Sequence, residues 1–467
     1  MAEESWHEAR LIPVSGISGA EEQERRATSA LLAVMTAVRE YGRALTQTLG
    51  APAGRLETFI EVPFLLGEAR CYPDGLLRVH RGARVWTALV EVKTGGNVLE
   101  AGQLENYLDI AREQGFDAVL TISNEIPATP GQHPTCLDKR KLRKVALHHY
   151  SWSQVLAAAV VQKEHRGIAD PDQSWILGEL IRYLEHSRSG ALEFDDMGPS
   201  WVPVRQAIAA GTLRPSDKAA PDVAARFDAL LRYASLRLGR QLGTEVTPAL
   251  SRKELADPAV RSQSLVASLA GTGTLEGAIR IPKAVAPLVV SVDLRAGRVT
   301  CSVDIDAPGD GRPATRVNWL LRQLKLAPET LRLEAFALHA RGAGAAELLG
   351  NVRANPSLLI ADPKKDLRTF RIAMTTPVGA KRGRGRGGFI DSILDAVDSF
   401  YGEVMQHLKA WSTAAPRLRE PADTPSQVPA ALTSTALSSQ DGTELVAITP
   451  PTSTDDETNA EAGVGGG

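Results

Sequence analysis

Pro73-Asp74, Glu91-Val92-Lys93 and Gln103-Leu104-Glu105-Asn106-Tyr107 carry residue types that together could hydrolyse a phosphodiester. Val85 to Lys93 is rich in β-formers and reads as a strand, in which side chains alternate between faces. Glu91 and Lys93 then share one face, and Val90 and Val92 the other. The turn Arg81-Gly82-Ala83-Arg84 returns the chain from a strand around Leu76-Leu77-Arg78-Val79, so Asp74 reaches the end of the hairpin that bears Glu91. Two carboxylates meeting at one point suit Mg²⁺, a hard ion that keeps several waters and accepts phosphate oxygens. A lysine beside them can orient or help deprotonate the attacking water and offset the charge growing on the phosphate. A lone Glu-x-Lys on a strand is usually a solvated edge; the Pro-Asp before it and the helix after it raise the chemical reading.

The elements that must position these residues are legible from spacing. Asn97-Val98-Leu99-Glu100 has the form of a capping box, opening a helix with Leu104, Leu108 and Ala111 on one stripe. Gln103 and Tyr107, four apart, share a face of that helix. Ser18-Gly19-Ala20-Glu21 has the same form, and Leu31, Val34, Met35, Val38, Leu45 and Leu49 then predict one long amphipathic helix. Glu24 falls near its apolar face, where an unpaired carboxylate is costly; a partly solvated first-turn glutamate is the plain alternative. Arg55 to Val62, closed by Pro63, reads as the first strand, Phe116 to Ile122 as a buried one and Val145 to Tyr150 as another. Ser151 then caps a helix, and a further helix spans Trp175 to Leu184.

Pro73-Asp74, Glu91-Val92-Lys93 and Gln103-x-x-x-Tyr107 resemble the PD-(D/E)XK nuclease superfamily, in particular its exonuclease-like branch with a Gln/Tyr helix. The likeness covers about residues 18–160, roughly a third of the chain. It implies an α/β fold with a restriction-endonuclease-like αβββαβ core around a mixed sheet, and a metal-dependent deoxyribonuclease. It further implies Mg²⁺ (or Mn²⁺) held by Asp74 and Glu91 with the Val92 carbonyl, and Glu24 as an extra acid near the metal. Lys93 would activate water, and Gln103 and Tyr107 would lie near the DNA backbone. The rival reading is a catalytically inactive nuclease fold that persists as a nucleic-acid-binding or regulatory protein.

A chain of 467 residues exceeds what one core serves, which predicts more than one domain. The expected division is a nuclease-like domain at 1–188, a linker at 189–220 with scattered Gly, Pro and Asp, and an α+β accessory domain at 221–412. The Pro-, Ser-, Thr- and Ala-rich stretch 413–467 reads as a disordered tail. In the accessory domain a helix is expected from Pro221, strands near 275–281, 288–294, 298–305, 331–339 and 370–375, and a helix near 316–324. This domain carries no catalytic signature and is expected to bind a protein partner or position a substrate.

A formal charge of −2 requires any nucleic-acid contact to be local. Candidates are Lys139-Arg140-Lys141 with Arg143-Lys144, and the run Lys381 to Gly388 before a helix from Phe389; each also reads as a solvated loop. Gly383, Gly385 and Gly388 formally match a dinucleotide fingerprint without its βαβ context. Cys71, Cys136 and Cys301 are scattered, and His133, Cys136, His148 and His149 fit no zinc spacing. With an acidic N-terminus and no run of eighteen apolar residues, the expectation is a cytoplasmic protein with no membrane span.

Overall fold

A computed structural model describes residues 10–14, 19–127, 129, 131–340, 342–379 and 387–412. The chain opens with α1 (Ala20–Ala37) and α2 (Arg39–Thr48), then β1 (Arg55–Ile60), a small hairpin of β2 (Phe64–Leu66) and β3 (Ala69–Cys71), and a long hairpin of β4 (Gly75–Arg81) and β5 (Arg84–Val92). Helix α3 (Ala101–Gln114) leads to β6 (Ala118–Ser123) and β7 (Ala146–Ser151), followed by α4 (Trp152–Val160) and α5 (Pro171–Leu184). The sheet has the order β1-β4-β5-β6-β7, antiparallel from β1 to β5 and parallel from β5 to β7. The architecture is thus mixed α/β around a mixed sheet.

Strand alternation divides the core between the two sheet faces. Val90, Val92, Leu120 and Ile122 pack beneath α1, α2, α4 and α5, while Leu76, Leu89 and Val119 pack against Leu104 and Leu108 of α3. Each such fully buried aliphatic side chain stabilises the fold by about 1.5–3 kcal/mol.

Several expectations are corrected. The long first helix is broken at Val38, whose backbone is extended (φ −104°, ψ 91°). Gly42 explains the fold-back: a Cβ there would lie 2.1 Å from the Met35 carbonyl oxygen, so only glycine lets α2 pack this closely on α1. α1 begins behind Gly19 with no side-chain cap, and Ser18 lies outside the described residues. α3 begins behind Glu100, likewise uncapped by a side chain, so Asn97 to Glu100 is not a capping box. The Ser151 cap on α4 is present, accepting from the Gln154 amide at 3.1 Å. The β2–β3 hairpin was not expected; it lies between the first strand and Asp74.

The stretch after α5 is not a bare connection. It contains α6 (Trp201–Ala209), whose Trp201, Val204 and Ile208 enter the second core. Pro203 sits in its first turn, where a missing N–H costs no helical bond. Then follow α7 (Ala219–Leu242), β8 (Thr247–Pro248), α8 (Arg252–Ala256), α9 (Pro258–Gly271), β9 (Thr274–Arg280), β10 (Leu288–Asp293), β11 (Arg298–Asp306) and α10 (Pro313–Gln323). β12 (Arg332–Ala337), β13 (Ala345–Leu348), α11 (Leu349–Ala354), β14 (Leu367–Pro377) and α12 (Phe389–Glu403) complete it.

The second sheet runs β13-β12-β14-β11-β10-β9-β8, antiparallel throughout, with alternate residues buried toward α7, α9 and α12. The expected strands and the helix near 316–324 appear; α8, α9, α11 and β13 had no expectation. Residues 381–386 and 413–467 lie outside the described residues. Among the described residues no helix is long and apolar enough to cross a membrane.

The α1–α2 contact yields a test. Gly42→Ala is expected to lower stability by about 1–3 kcal/mol in urea unfolding, because the new methyl meets backbone. Gly102→Ala in α3, where nothing lies within 4 Å, is expected to be neutral or mildly stabilising; equal losses at both positions would contradict the packing account.

Candidate active site

The β4–β5 register pairs Gly75 with Val90, so one step further places Asp74 opposite Glu91. The two carboxyls stand near enough that the Asp74 charge raises Glu91. Asp74 Oδ2 accepts the Val92 amide at 2.8 Å. In a strand a residue's N–H and C=O point to the same side, so the Val92 carbonyl also faces the Asp74 side. Continuing the register, the residue opposite Val92 is Pro73, which has no N–H to offer that carbonyl. Gly75 lets α1 approach: a Cβ would stand 2.5 Å from Leu32 Cδ1. Two turns before Leu32, the same helix delivers Glu24.

Glu91 is the most confined of these groups, 1 % exposed, and its Oε2 has no hydrogen-bond partner among the described residues. Its Oε1 accepts from Lys93 Nζ at 2.7 Å. Glu24 accepts from Asn97 Nδ2 at 2.7 Å and from the Thr94 amide at 3.3 Å, with its Oε2 3.6 Å from Lys93 Nζ. Burial, then the neighbouring Asp74 charge, pushes the Glu91 carboxyl up to about 7 against the pull of Lys93. Burial likewise raises Asp74, opposed by the Val92 N–H and Lys93. Burial draws Lys93 down, but Glu91, Glu24 and Asp74 outweigh it and hold the ammonium above its ordinary value. Lys93 is therefore a retained cation, suited to offsetting anionic charge.

Gln103 and Tyr107 reach the same place from α3. Gln103 Nε2 donates to Tyr107 Oη at 3.0 Å, and Tyr107 Oη donates to the Tyr72 carbonyl at 3.3 Å while standing beside Glu91. Tyr107 is only 3 % exposed, and burial followed by the Glu91 charge holds its phenol protonated. The pair thus holds the Tyr72-Pro73-Asp74 segment from beneath through the Tyr72 carbonyl.

Across the sheet Glu91 registers with Thr121, and Thr121 with His149. Thr121 Oγ1 bonds both His133 Nε2 (2.9 Å) and His149 Nδ1 (2.8 Å), and His149 Nε2 bonds the Glu125 carbonyl (2.9 Å). Burial pushes His149 down to about 4, so this end of the row is neutral. Among the described residues no group of three or more His, Cys, Asp or Glu is arranged to hold a metal by side chains alone. Mg²⁺ needs no such cage, since one or two carboxylates suffice when waters and phosphate complete its shell. The partnerless buried Glu91 Oε2, the Asp74 carboxyl and the Val92 carbonyl are hard oxygen donors of that kind, and Glu24 stands beyond Lys93.

Sequence reasoning missed the residues that brace this centre. Trp152 Nε1 donates to the Lys93 carbonyl at 2.9 Å. Asn124 Nδ2 donates to the carbonyls of Gly95 (2.9 Å) and Gly190 (2.7 Å), and its Oδ1 accepts from the Leu192 amide (2.8 Å). Gly190 has a positive φ (+82°), and a Cβ there would lie 2.5 Å from Gln23 Oε1 and 2.6 Å from Thr94 Cβ. The segment after α5 is thereby tied to the turn that follows Lys93. An open cleft of about 430 Å³ lies alongside, lined by Gly19, Gln23, Thr94, Gly95 and Asn97 among others.

Of the basic candidates, Lys141 is bound to Asp109 (2.8 Å) and Glu105 (3.4 Å) of α3, leaving Lys139, Arg140, Arg143 and Lys144 exposed. The described glycines before α12, Gly387 and Gly388, give their amides to Asp391 Oδ2 (2.9 and 3.0 Å), so a side chain of α12 itself occupies that cradle. No family model, curated protein or solved structure matches the chain.

The raised Glu91 carboxyl sets a pH dependence. Folded Glu91 keeps its proton to about 7, whereas the unfolded chain releases it near 4.5, so this group's contribution is fullest below pH 4.5 and is lost as pH rises through 7. In metal-free buffer, the stability of the wild type minus that of Glu91→Gln is expected to fall across this window. The slope should be on the order of 1 kcal/mol per pH unit by urea titration. A difference independent of pH would contradict the buried, partnerless placement of Glu91.

Proposed function

We propose that the chain is a Mg²⁺-dependent nuclease that hydrolyses DNA phosphodiester bonds, built on a core of the PD-(D/E)XK type. In this reading α1, β1, β4, β5, α3 and β6 supply the αβββαβ order, with the β2–β3 hairpin as an insertion. The observation that carries it is the meeting of Asp74, Glu91 and Lys93 where β4 begins and β5 ends, inside the sheet, with a buried Glu91 oxygen that has no hydrogen-bond partner among the described residues. Asp74, Glu91 and the Val92 carbonyl would hold the ion, Mg²⁺ or Mn²⁺, with Glu24 beside them. The bound ion would polarise the scissile phosphate and make water a better nucleophile.

The chain's own groups do the rest. Lys93 holds its proton and offsets charge developing on the phosphate. Asp74 is kept in place by the Val92 amide, and its segment by Tyr107 and Gln103. Glu24 pins Asn97 and Thr94, shaping the turn that borders the cleft. The free thiols of Cys71, Cys136 and Cys301 fit a reducing compartment such as the cytoplasm.

A second reading, a nuclease fold that holds nucleic acid without cutting, is favoured by Lys93 Nζ at 2.7 Å from Glu91, where the ammonium already supplies a counter-charge. Incubating the full chain with linear, circular and single-stranded DNA in Mg²⁺ or Mn²⁺ separates the two. Cutting is expected, with a loss of about 10²-fold or more in Asp74→Ala and in Lys93→Ala while thermal unfolding stays cooperative. Failure to cut any of these substrates with either metal would overturn the nuclease reading in favour of the second.

A further inference from the structure

The β2–β3 hairpin is not required to bring Asp74 to Glu91, which the β4–β5 register does alone. It has one buried and one open face. Phe64, Leu66 and Cys71 pack into the core beneath α3, with Phe64 edge-on to Phe116 at a centroid separation of 5.8 Å. The alternate residues, Leu65 and its register partner Arg70, face outward, and Leu65 is 63 % exposed. Continuing the alternation past Cys71 brings out Tyr72, 52 % exposed, although its carbonyl is bound from below by Tyr107. Asp74 follows two residues later. An aliphatic, a guanidinium and a phenol ring thus form one open face beside the two acids, held rigid by the core under it.

A single exposed leucine needs no explanation, but this grouping beside a phosphate-handling centre has a chemical match. Nucleobases stack on aromatic rings and on guanidinium planes, and the neighbouring phosphates answer the arginine charge. Helix α3, against which the hairpin packs, also anchors through Lys141 the basic turn whose Lys139, Arg140, Arg143 and Lys144 remain exposed. Charge complementarity therefore favours a nucleic-acid occupant over an apolar protein segment. Bases inside a duplex are already stacked and offer such a face nothing, whereas unpaired bases do.

We propose that Leu65, Arg70 and Tyr72 bind unpaired nucleobases of the strand whose phosphate enters the Asp74–Glu91 centre, Tyr72 stacking on a base beside the scissile phosphate. The substrate class is single-stranded or frayed-end nucleic acid. This rests on the nuclease or nucleic-acid-binding reading of the centre.

Fluorescence anisotropy of the full chain in a Lys93→Ala background with Mg²⁺ tests it, using a labelled single-stranded oligonucleotide and the same sequence as a blunt duplex. The single strand is expected to bind more tightly, Tyr72→Ala to weaken it about tenfold, and Tyr72→Trp to restore it. Removing one base from the oligonucleotide at the contacted position should cost as much as Tyr72→Ala and make that substitution silent, a non-additivity that general misfolding would not give. Equal affinity of Tyr72→Ala and its parent, or preference for the blunt duplex, would overturn the proposal.

Cleavage by the wild type in Mg²⁺ is read separately. Tyr72-dependent binding without cleavage leaves this inference standing and removes hydrolysis; cleavage indifferent to Tyr72 does the reverse.

Discussion

A buried carboxylate is the constraint around which the first half of the molecule is arranged. The β4–β5 register sets Asp74 against Glu91, and the closure of α3 over that sheet face leaves Glu91 almost without solvent. Two acids in that position are unfavourable unless compensated, because burial penalises their charged forms and the Asp74 charge raises Glu91 further. The compensation is partial: one ammonium at Glu91 Oε1, one amide at Asp74 Oδ2, Tyr107 standing beside Glu91, and no hydrogen-bond partner for Glu91 Oε2 among the described residues. Removing one partner of such a buried set generally costs 3–5 kcal/mol, about the scale at which a small fold is lost. A site maintained in that condition is better explained by what it can accept than by what it adds to stability.

The surrounding structure supplies rigidity from several directions. α1 brings Glu24 to Asn97 and Thr94, α3 brings Tyr107 under the Tyr72 carbonyl, and α4 brings Trp152 to the Lys93 carbonyl. The second half contributes as well. Helix α7 packs on α4, and its Arg232 donates to the Pro127 carbonyl at 3.1 Å and to Gln154 at 3.3 Å. Arg226 of α7 lies 4.3 Å over the Phe194 ring, with Glu125 among the acids that act on it. The loop after β6, which carries Asn124 and Glu125, is thus held between the two sheets, and α7 is the element through which the second core braces the first.

How much of this was legible in the sequence follows from the range of the forces involved. Period-two alternation in Val85 to Lys93 and the turn at Gly82 are local, and they correctly placed Glu91 and Lys93 on one face and Asp74 at the hairpin's end. The four-residue spacing of Gln103 and Tyr107 was equally local and gave their shared hydrogen bond. What escaped depends on contacts between residues far apart in the chain. The break at Val38 is the exception: Met35 and Gly42 are only seven residues apart, and Gly42 is itself a local sign that the chain can fold back there. Asn124, Gly190 and Gln23 form a clamp from segments up to 167 residues apart, and no window of sequence joins them. The Asn97 to Glu100 box failed for a related reason: Asn97 is drawn off to Glu24 and no longer caps α3. α6 was a misreading that spacing could have prevented, since Trp201, Val204 and Ile208 already lie on one helical face.

The measurement that bears most directly on the central claim is anomalous scattering from a crystal of the full chain grown or soaked with Mn²⁺. A peak is expected about 2.1 Å from Asp74 and Glu91 carboxylate oxygens and from the Val92 carbonyl, with Glu91 Oε2 among the donors. An anomalous map with no peak between those carboxylates, and Lys93 still seated on Glu91, would contradict the account.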